Sequence, residues 1–154
     1  MANPRNGWIL VGKALGELFY KGTPRDVLLA VHTAGAIPYY SRLPAVDIYG
    51  LNDRWVAQYG EPGSYIAGHR KRAPYSYLVE RRVNIVFPGL PVYVCGRARV
   101  EDIVKPYNNL PALLIPLETD CKVVGYYLTP HPDIEKALAD GKIWRIQPNE
   151  SGPL

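Results

Sequence analysis

The sequence predicts an α/β fold with three layers: a mainly parallel sheet, helices on both of its faces and an antiparallel hairpin at one edge. Two observations lead to this class. Strand-like apolar runs alternate with helical patterns in the first half, and two strand-like segments near the end of the chain are separated by only four residues. The length of 154 residues and the hydrophobic fraction of 47% suit a single cored domain. We assign residues 1–147 to that domain and residues 148–154 to a frayed tail.

The helices are predicted from apolar spacing and from their end signals. Residues 7–20 place Trp8, Leu15 and Phe19 on one helical face, with Asn6 as the N-cap. Near the C-terminus, Pro132 suits the first position of a helix and Gly141 suits its end. Shorter helices are predicted over 33–43, through Trp55 and Gln58, and over 75–82.

The strands are predicted from short apolar runs. Residues 27–31, VLLAV, form a continuous run that fits a strand buried on both faces. A loop rich in Gly and Pro spans about 59–74, and loops of this length tend to be functional or disordered. The other predicted strands are 45–49, 83–87, 92–100, the hairpin of 112–117 with 122–128, and an edge strand at 143–146.

Composition and missing motifs exclude several classes of protein. A net charge of +4 is mildly basic and favours anionic partners without identifying one. No GxGxxG follows a strand, and there is no Walker loop, GxSxG, HExxH or CxxC, so we predict no cofactor and no catalytic residue. The N-terminus does not resemble a signal peptide, and no run approaches the ~20 apolar residues that span a bilayer. We therefore expect a soluble chain.

The two cysteines leave two interpretations. Cys95 and Cys121 form either a disulfide or two small buried apolar residues, and their spacing fits no zinc motif. We expect free thiols, because a domain of this size does not need a covalent staple.

Candidate site residues follow the predicted parallel strands, since ligands of open α/β sheets bind outside the carboxyl ends of the strands. This rule selects His32 after the first strand, Asn52 and Asp53 after the second, and Pro88-Gly89 after the third. The loop that carries His69 should cover the same edge. His32 suits a general acid or base, a metal ligand, or a residue that caps the following turn.

Asp47 lies among apolar neighbours, and a buried carboxylate must be paired or must bind something. It is either a sugar-hydroxyl acceptor or metal ligand, or the partner of Arg42, Arg54 or a lysine. Asn52 and Asp53 are most simply N-caps of the next helix.

Aromatic and basic residues add further candidates. Tyr39, Tyr40 and Ser41 offer ring faces and hydroxyls, which suit carbohydrates, or they are core residues with satisfied hydroxyls. The run His69–Arg72, which includes Lys71, either binds an anion or forms a solvated loop. It is too short to predict a nucleic-acid motif.

Two segments carry a family resemblance. Residues 32–53, HTAGAIPYYSRLPAVDIYGLND, and residues 68–80, GHRKRAPYSYLVE, resemble the soluble C-terminal domain of bacterial membrane glycosyltransferases of the GT-C class, in particular arabinofuranosyltransferase-like proteins. The resemblance covers about residues 7–90. It implies an extracytoplasmic domain that binds glycan or lipid-linked sugar beside a membrane-embedded partner or parent chain. In that family the catalytic acid lies in membrane-part loops, which this chain lacks.

The resulting hypothesis is a non-catalytic, carbohydrate-associated domain of the cell envelope that binds glycan or positions an acceptor. One alternative is a small stand-alone hydrolase or metal-dependent enzyme that uses His32, Asp47 and His69. Another is an anion-binding or nucleic-acid-binding module, although nucleic acid is the less expected partner. A free-standing chain would be cytoplasmic, and the oligomeric state does not follow from the sequence. The predicted ligand-binding residues are Tyr39, Tyr40, Ser41, Asp47, Asn52, Asp53, His69 and Lys71.

Overall fold

A computed structural model describes residues 4–32 and 34–148 of the chain. Its helices are α1 (Pro4–Phe19), α2 (Ala36–Ser41), α3 (Arg54–Tyr59), α4 (Tyr75–Glu80), α5 (Val100–Ile103) and α6 (Pro132–Ala139). Its strands are β1 (Leu29–Val31), β2 (Ala45–Asp47), β3 (Glu61–Pro62), β4 (Lys71–Arg72), β5 (Ile85–Phe87), β6 (Val92–Cys95), β7 (Ala112–Pro116), β8 (Cys121–Tyr127) and β9 (Trp144–Ile146).

The main sheet has seven strands in the order β2-β1-β5-β8-β7-β9, with β6 paired to β8 beside this path. The neighbours β2, β1 and β5 run parallel. Val31 is in register with Asp47 on one side and with Phe87 on the other, so the three strands end at one level. This register places the residues that follow each strand along a common edge.

The mixed α/β class is confirmed, and the antiparallel region is larger than the predicted hairpin. The hairpin of β7 and β8 is present, and β8 also pairs antiparallel with β5 and with β6. The edge strand β9 pairs antiparallel with β7. A second sheet, missed from the sequence, consists of β3 and β4 inside the predicted 59–74 loop. The short helix α5 was also missed, because the strand predicted over 92–100 ends at Cys95.

Alternating strand residues enter two core clusters, which is the pattern of strands with two buried faces. Leu29, Val31 and Leu113 belong to the cluster that contains residues of α1, α2 and α6. Ala30 and Leu114 belong to the cluster that contains residues of α3 and α4. The continuous apolar runs in the sequence thus correspond to strands without a solvent-exposed face.

Helices α1 and α2 pack closely because α1 carries two glycines on the contact face. A Cβ added at Gly12 would lie 3.0 Å from the carbonyl oxygen of Ile37, and one at Gly16 would lie 2.9 Å from the carbonyl oxygen of Ser41. This contact holds α2 directly after the edge where β1 ends. The helix α1 begins at Pro4, so Asn6 lies within it and is not the N-cap. Residues 149–154 of the predicted tail lie outside the described residues.

The expectation of free thiols is wrong: Cys95 and Cys121 form a disulfide. The reason is their register, since the two residues lie directly opposite one another on the antiparallel strands β6 and β8, with 4.0 Å between their Cα atoms. Strand pairing had already brought the two side chains together. The size of the domain, on which the expectation rested, has no bearing on that geometry.

Candidate functional site

Three aromatic side chains meet at the edge where the parallel strands end. The rings of His32 and His69 lie 5.4 Å apart between centroids, and Tyr49 lies 4.8 Å from His32 and 4.3 Å from His69. His32 directly follows β1, and Tyr49 lies two residues beyond the end of β2. We call His32, Tyr49 and His69 the three-ring cluster. It joins two histidines that are distant in sequence, at the edge where topology predicted them.

The hairpin of β3 and β4 carries His69 to this edge. The amide of Ala73 donates to the carbonyl of Ile48 over 2.8 Å, which attaches the end of β4 to the backbone just after β2. At the tip of the hairpin, the amide of His69 donates to the carbonyl of Ile66, and the carbonyl of His69 accepts from the amide of Ser64. The backbone on both sides of His69 is therefore fixed by hydrogen bonds.

Asp47 organises the turn that holds Tyr49. The side chain is only 3% exposed, and its two oxygens accept from the amides of Tyr49, over 3.0 Å, and Asn52, over 2.8 Å. These bonds form a network within one turn, which neither predicted alternative for Asp47, a ligand contact or an ion pair, had included. The backbone amide of Asn52 belongs to that network. The N-cap of α3 is Asp53, so the predicted capping role of the Asn52 side chain is wrong.

His32 has a buried ring nitrogen with unused bonding capacity. Its Nδ1 atom is buried and has no hydrogen-bond partner in the structure. Burial lowers the pKa of His32, and the neighbouring His69 and Arg72 lower it further, whereas Asp47 opposes them. A neutral imidazole has one N–H donor and one acceptor nitrogen. The oxygens of Asp47 already accept hydrogen bonds from backbone amides.

The structure gives no support to the metal alternative. Within residues 4–32 and 34–148, no group of three or more His, Cys, Asp or Glu side chains is arranged to hold a metal ion. The oxygens of Asp47 point to backbone amides, so His32 and His69 lack a third ligand there.

A second arrangement of aromatic and charged residues lies on α3 and α4, a few residues after Asp47. Asp53 caps α3 by accepting from the amide of Val56 over 3.0 Å, as the sequence predicted. The hydroxyl of Tyr77 also donates to Asp53, over 3.1 Å, and accepts from Arg81 over 2.7 Å. Burial raises the pKa of the Tyr77 phenol, so it stays a hydrogen-bond donor at neutral pH.

Trp55 lies flat on Tyr77. The two rings are 4.1 Å apart between centroids and 4° from parallel, and Trp55 is 38% exposed. Tyr59, one helical turn further along α3, is exposed and lies 5.8 Å from Trp55. We call Trp55, Tyr59, Tyr77, Asp53 and Arg81 the aromatic platform. It presents apolar ring surface next to a carboxylate and a guanidinium.

Tyr39, Tyr40 and Ser41 lie on α2 and have other neighbours. Tyr39 is 77% exposed, and its ring contacts Tyr40 at 5.1 Å. The Ser41 hydroxyl is buried and accepts from the amide of Leu43 over 3.2 Å, so it stabilises the end of α2. Tyr40 and Ser41 line a cavity of about 360 Å³ together with residues of α1, and this cavity does not include the three-ring cluster.

The basic run has separate local roles. His69 joins the three-ring cluster, and the ammonium of Lys71 donates to the carbonyl of Gly60 over 3.1 Å. Arg70 and Arg72 are both exposed, and the charge of Arg72 lowers the pKa of the Tyr107 phenol against the larger opposing effect of burial. The predicted site residues are thus divided among the edge cluster with its Asp47 turn, the platform and the α2 surface, while Lys71 lies apart from all three.

Sequence reasoning missed Tyr49, Trp55 and Tyr77 as site residues. Helical spacing could have indicated two pairs, because Trp55 and Tyr59 are four residues apart, as are Tyr77 and Arg81. The stacking of Trp55 on Tyr77 joins two helices, and no local pattern predicts it. Tyr49 follows Asp47 by two residues, which placed both side chains on one side of the predicted strand.

Comparison with known proteins gives a family without an assigned activity. Neither the curated proteins nor the solved structures contain a match to this chain. Among the described residues, no helix has the length and apolar character needed to cross a bilayer. One family model matches residues 6–133, which include most of α1, the parallel strands, the three-ring cluster and the aromatic platform. Because that match extends over most of the fold just described, the chain belongs to the family described as Domain of unknown function (DUF8728).

Proposed function

We propose that this protein is a non-catalytic carbohydrate-binding domain of the cell envelope, and that its sugar lies on the aromatic platform. The observation that carries the proposal is the half-exposed indole of Trp55, stacked on Tyr77 beside Asp53 and Arg81. Sugar rings have apolar C–H faces and polar hydroxyl edges, so they require a flat ring surface with charged hydrogen-bonding groups at its border.

Hydrogen bonds within the protein already position the platform residues. Tyr77 is held by hydrogen bonds from Arg81 and to Asp53, and Asp53 in turn caps α3. The side chain of Arg81 remains 48% exposed, and the Tyr77 hydroxyl occupies only its NH1 atom. The remaining guanidinium N–H groups can donate to sugar hydroxyls. A preformed site of this kind loses little conformational entropy on binding.

Two further features support an envelope location and the proposed three-layer architecture. The Cys95–Cys121 disulfide fits an oxidising, extracytoplasmic compartment, because such bonds are rare in reducing cytosol. The two core clusters, one with residues of α1, α2 and α6 and the other with residues of α3 and α4, fit helices on both faces of the sheet. Together with the resemblance to glycosyltransferase domains, they favour a domain that positions glycan for a membrane-embedded partner.

The test is a titration with arabino-oligosaccharides, followed by tryptophan fluorescence and by NMR. We expect saturable binding that shifts the Trp55 indole signal. Trp55→Ala should weaken binding by roughly thirtyfold, because loss of a stacked aromatic anchor costs about 2 kcal/mol.

Trp144 provides a matched control. It is 39% exposed, nearly as much as Trp55, but it lies on β9 beside Lys122 and outside the platform. Trp144→Ala should leave the affinity unchanged. Equal losses in the two variants, or an unshifted Trp55 signal at saturating oligosaccharide, would contradict the proposal.

A second candidate function is favoured by the three-ring cluster. The adjacent imidazoles of His32 and His69, with the buried, unpartnered Nδ1 of His32, fit an acid–base site in a small hydrolase. The test is hydrolysis of a panel of p-nitrophenyl esters and glycosides by the protein, His32→Gln and His69→Gln. Turnover that both variants abolish would favour this candidate, whereas absence of turnover in the unmodified protein would eliminate it for these substrates.

A further inference from the structure

A cavity of about 650 Å³ opens at the opposite edge of the sheet, where the parallel strands begin. Three chain segments form its walls: 21–28 before β1, 82–84 before β5, and 129–133, which joins β8 to the first residues of α6. Small-molecule pockets typically measure about 300–1,000 Å³. We propose that this cavity binds a phosphorylated small molecule through Arg25 and Arg82. The inference goes beyond the proposed function, because it concerns another ligand at another edge.

The walls of the cavity are connected to each other by a buried amide. Asn84 is 6% exposed, its Oδ1 atom accepts from the amide of Leu28 over 2.8 Å, and its Nδ2 atom donates to the carbonyl of Thr129 over 3.0 Å. His131 adds a further link, since its Nε2 atom lies 2.8 Å from the carbonyl oxygen of Arg25. The three segments are therefore held in fixed relation around the cavity.

The carboxylates at the cavity already have partners. Asp26 is buried and accepts from the amide of Gly22 over 2.9 Å and from the Thr23 hydroxyl over 2.8 Å. Asp133 forms an ion pair with Lys21. Groups of the protein itself therefore occupy these carboxylate oxygens.

The two arginines that line the cavity have no such partners. Across residues 4–32 and 34–148, neither the Arg25 nor the Arg82 guanidinium forms a hydrogen bond or an ion pair with the protein. Two free guanidinium groups suit a phosphate monoester, because it carries up to two negative charges and several acceptor oxygens. A single carboxylate would satisfy only one of them. Because the carboxylates are bound within the protein and the two arginines are not, the cavity favours a ligand with a phosphate group.

Arg82 also occupies a backbone position that favours glycine. Its φ is 56°, in the left-handed region, where it ends α4 by donating from its amide to the carbonyl of Val79. Glycine is the usual residue at this position of a helix end because it has no Cβ. An arginine at this position adopts the left-handed backbone at a conformational cost. Residues in such strained positions cluster at binding sites.

The same strain makes Arg82→Gly a sharp test. Glycine relieves the left-handed backbone, so the variant should fold at least as well as the unmodified protein while it loses the guanidinium. Arg42→Gly is the matched control. Arg42 also has a left-handed φ, of 59°, at the end of α2, but it lines the other cavity.

The experiment is a calorimetric titration of the full chain and its variants with ribose 5-phosphate, ribose and inorganic phosphate. We expect ribose 5-phosphate to bind, inorganic phosphate to compete with it, and ribose to have no effect. Arg82→Gly and Arg25→Gln should each weaken ribose 5-phosphate by about ten- to a hundredfold, the usual effect of losing a hydrogen bond to a charged group. Arg42→Gly should bind like the unmodified protein.

Several outcomes would overturn the proposal. These are equal affinity of Arg82→Gly and the unmodified protein, equal losses in Arg82→Gly and Arg42→Gly, binding of ribose as tight as that of ribose 5-phosphate, or no saturable binding of any phosphate. The failure of this site is distinguishable from failure of the sugar platform, because Trp55→Ala leaves the cavity intact and Arg82→Gly leaves the platform intact.

Discussion

The turn made by Asp47 is the feature whose loss should have the clearest consequence. Asp47→Ala removes both carboxylate oxygens from the amides of Tyr49 and Asn52 and leaves these N–H groups without their acceptor. The turn positions Tyr49, and Tyr49 contacts both histidines of the three-ring cluster. We therefore expect a loss of stability and a local loss of order at the cluster.

The size of the effect follows from the two bonds. Hydrogen bonds to a charged group contribute about 1.5–3 kcal/mol each, so two bonds contribute roughly 3–6 kcal/mol. Removing the buried carboxylate also removes its desolvation cost, which places our expectation near the lower end, at about 3 kcal/mol. For a chain of this length, 1 kcal/mol shifts the melting temperature by about 2–4 °C, so Tm should fall by about 6–12 °C.

The assay is urea unfolding combined with thermal melting, with Asp102→Ala as the control. Asp102 is exposed on α5, and exposed substitutions usually change stability by less than about 0.5 kcal/mol. NMR of Asp47→Ala should also show His69 and Tyr49 ring signals displaced toward solvent-exposed values. An Asp47→Ala protein as stable as Asp102→Ala would refute the role that we assign to this turn.

The remaining predictions concern pH and oxidation state. Burial, His69 and Arg72 lower the pKa of folded His32, so the unfolded chain takes up its proton first, near pH 6.5. The stability that depends on neutral His32 is therefore complete above about pH 6.5 and is lost as pH falls toward the folded pKa. Urea unfolding from about pH 7.5 to about pH 5.5 should show this decline, and His32→Gln should flatten it; parallel profiles for the two proteins would contradict it. For the disulfide, the 26-residue separation of Cys95 and Cys121 gives about 3.5 kcal/mol of stabilisation in the loop-entropy model. Unfolding of Cys95→Ser/Cys121→Ser beside the oxidised protein measures it, and identical midpoints would show that the bond contributes nothing.

Much of the fold was predictable because its signals are local. The apolar runs located the strands β1, β2 and β5, and the rule for α/β sheets indicated the edge where His32 and His69 meet. Helix-end chemistry predicted Asp53 as the cap of α3, and it predicted the start of α6, where Pro132 follows the His131 cap. These signals depend on residues within one or two turns of each other, so the sequence alone carries them.

Tertiary structure decided which of these residues act together. The disulfide depends on the register of β6 against β8, and the stacking of Trp55 on Tyr77 depends on how α3 packs against α4. Asp47 and Ser41 were predicted as ligand groups, but the fold directs their oxygens to nearby backbone amides. Contacts between distant segments depend on the summed packing of the whole chain, so spacing along the sequence does not determine them. The sequence thus determined most of the elements and the edge, whereas tertiary packing determined the aromatic platform and the arginine cavity.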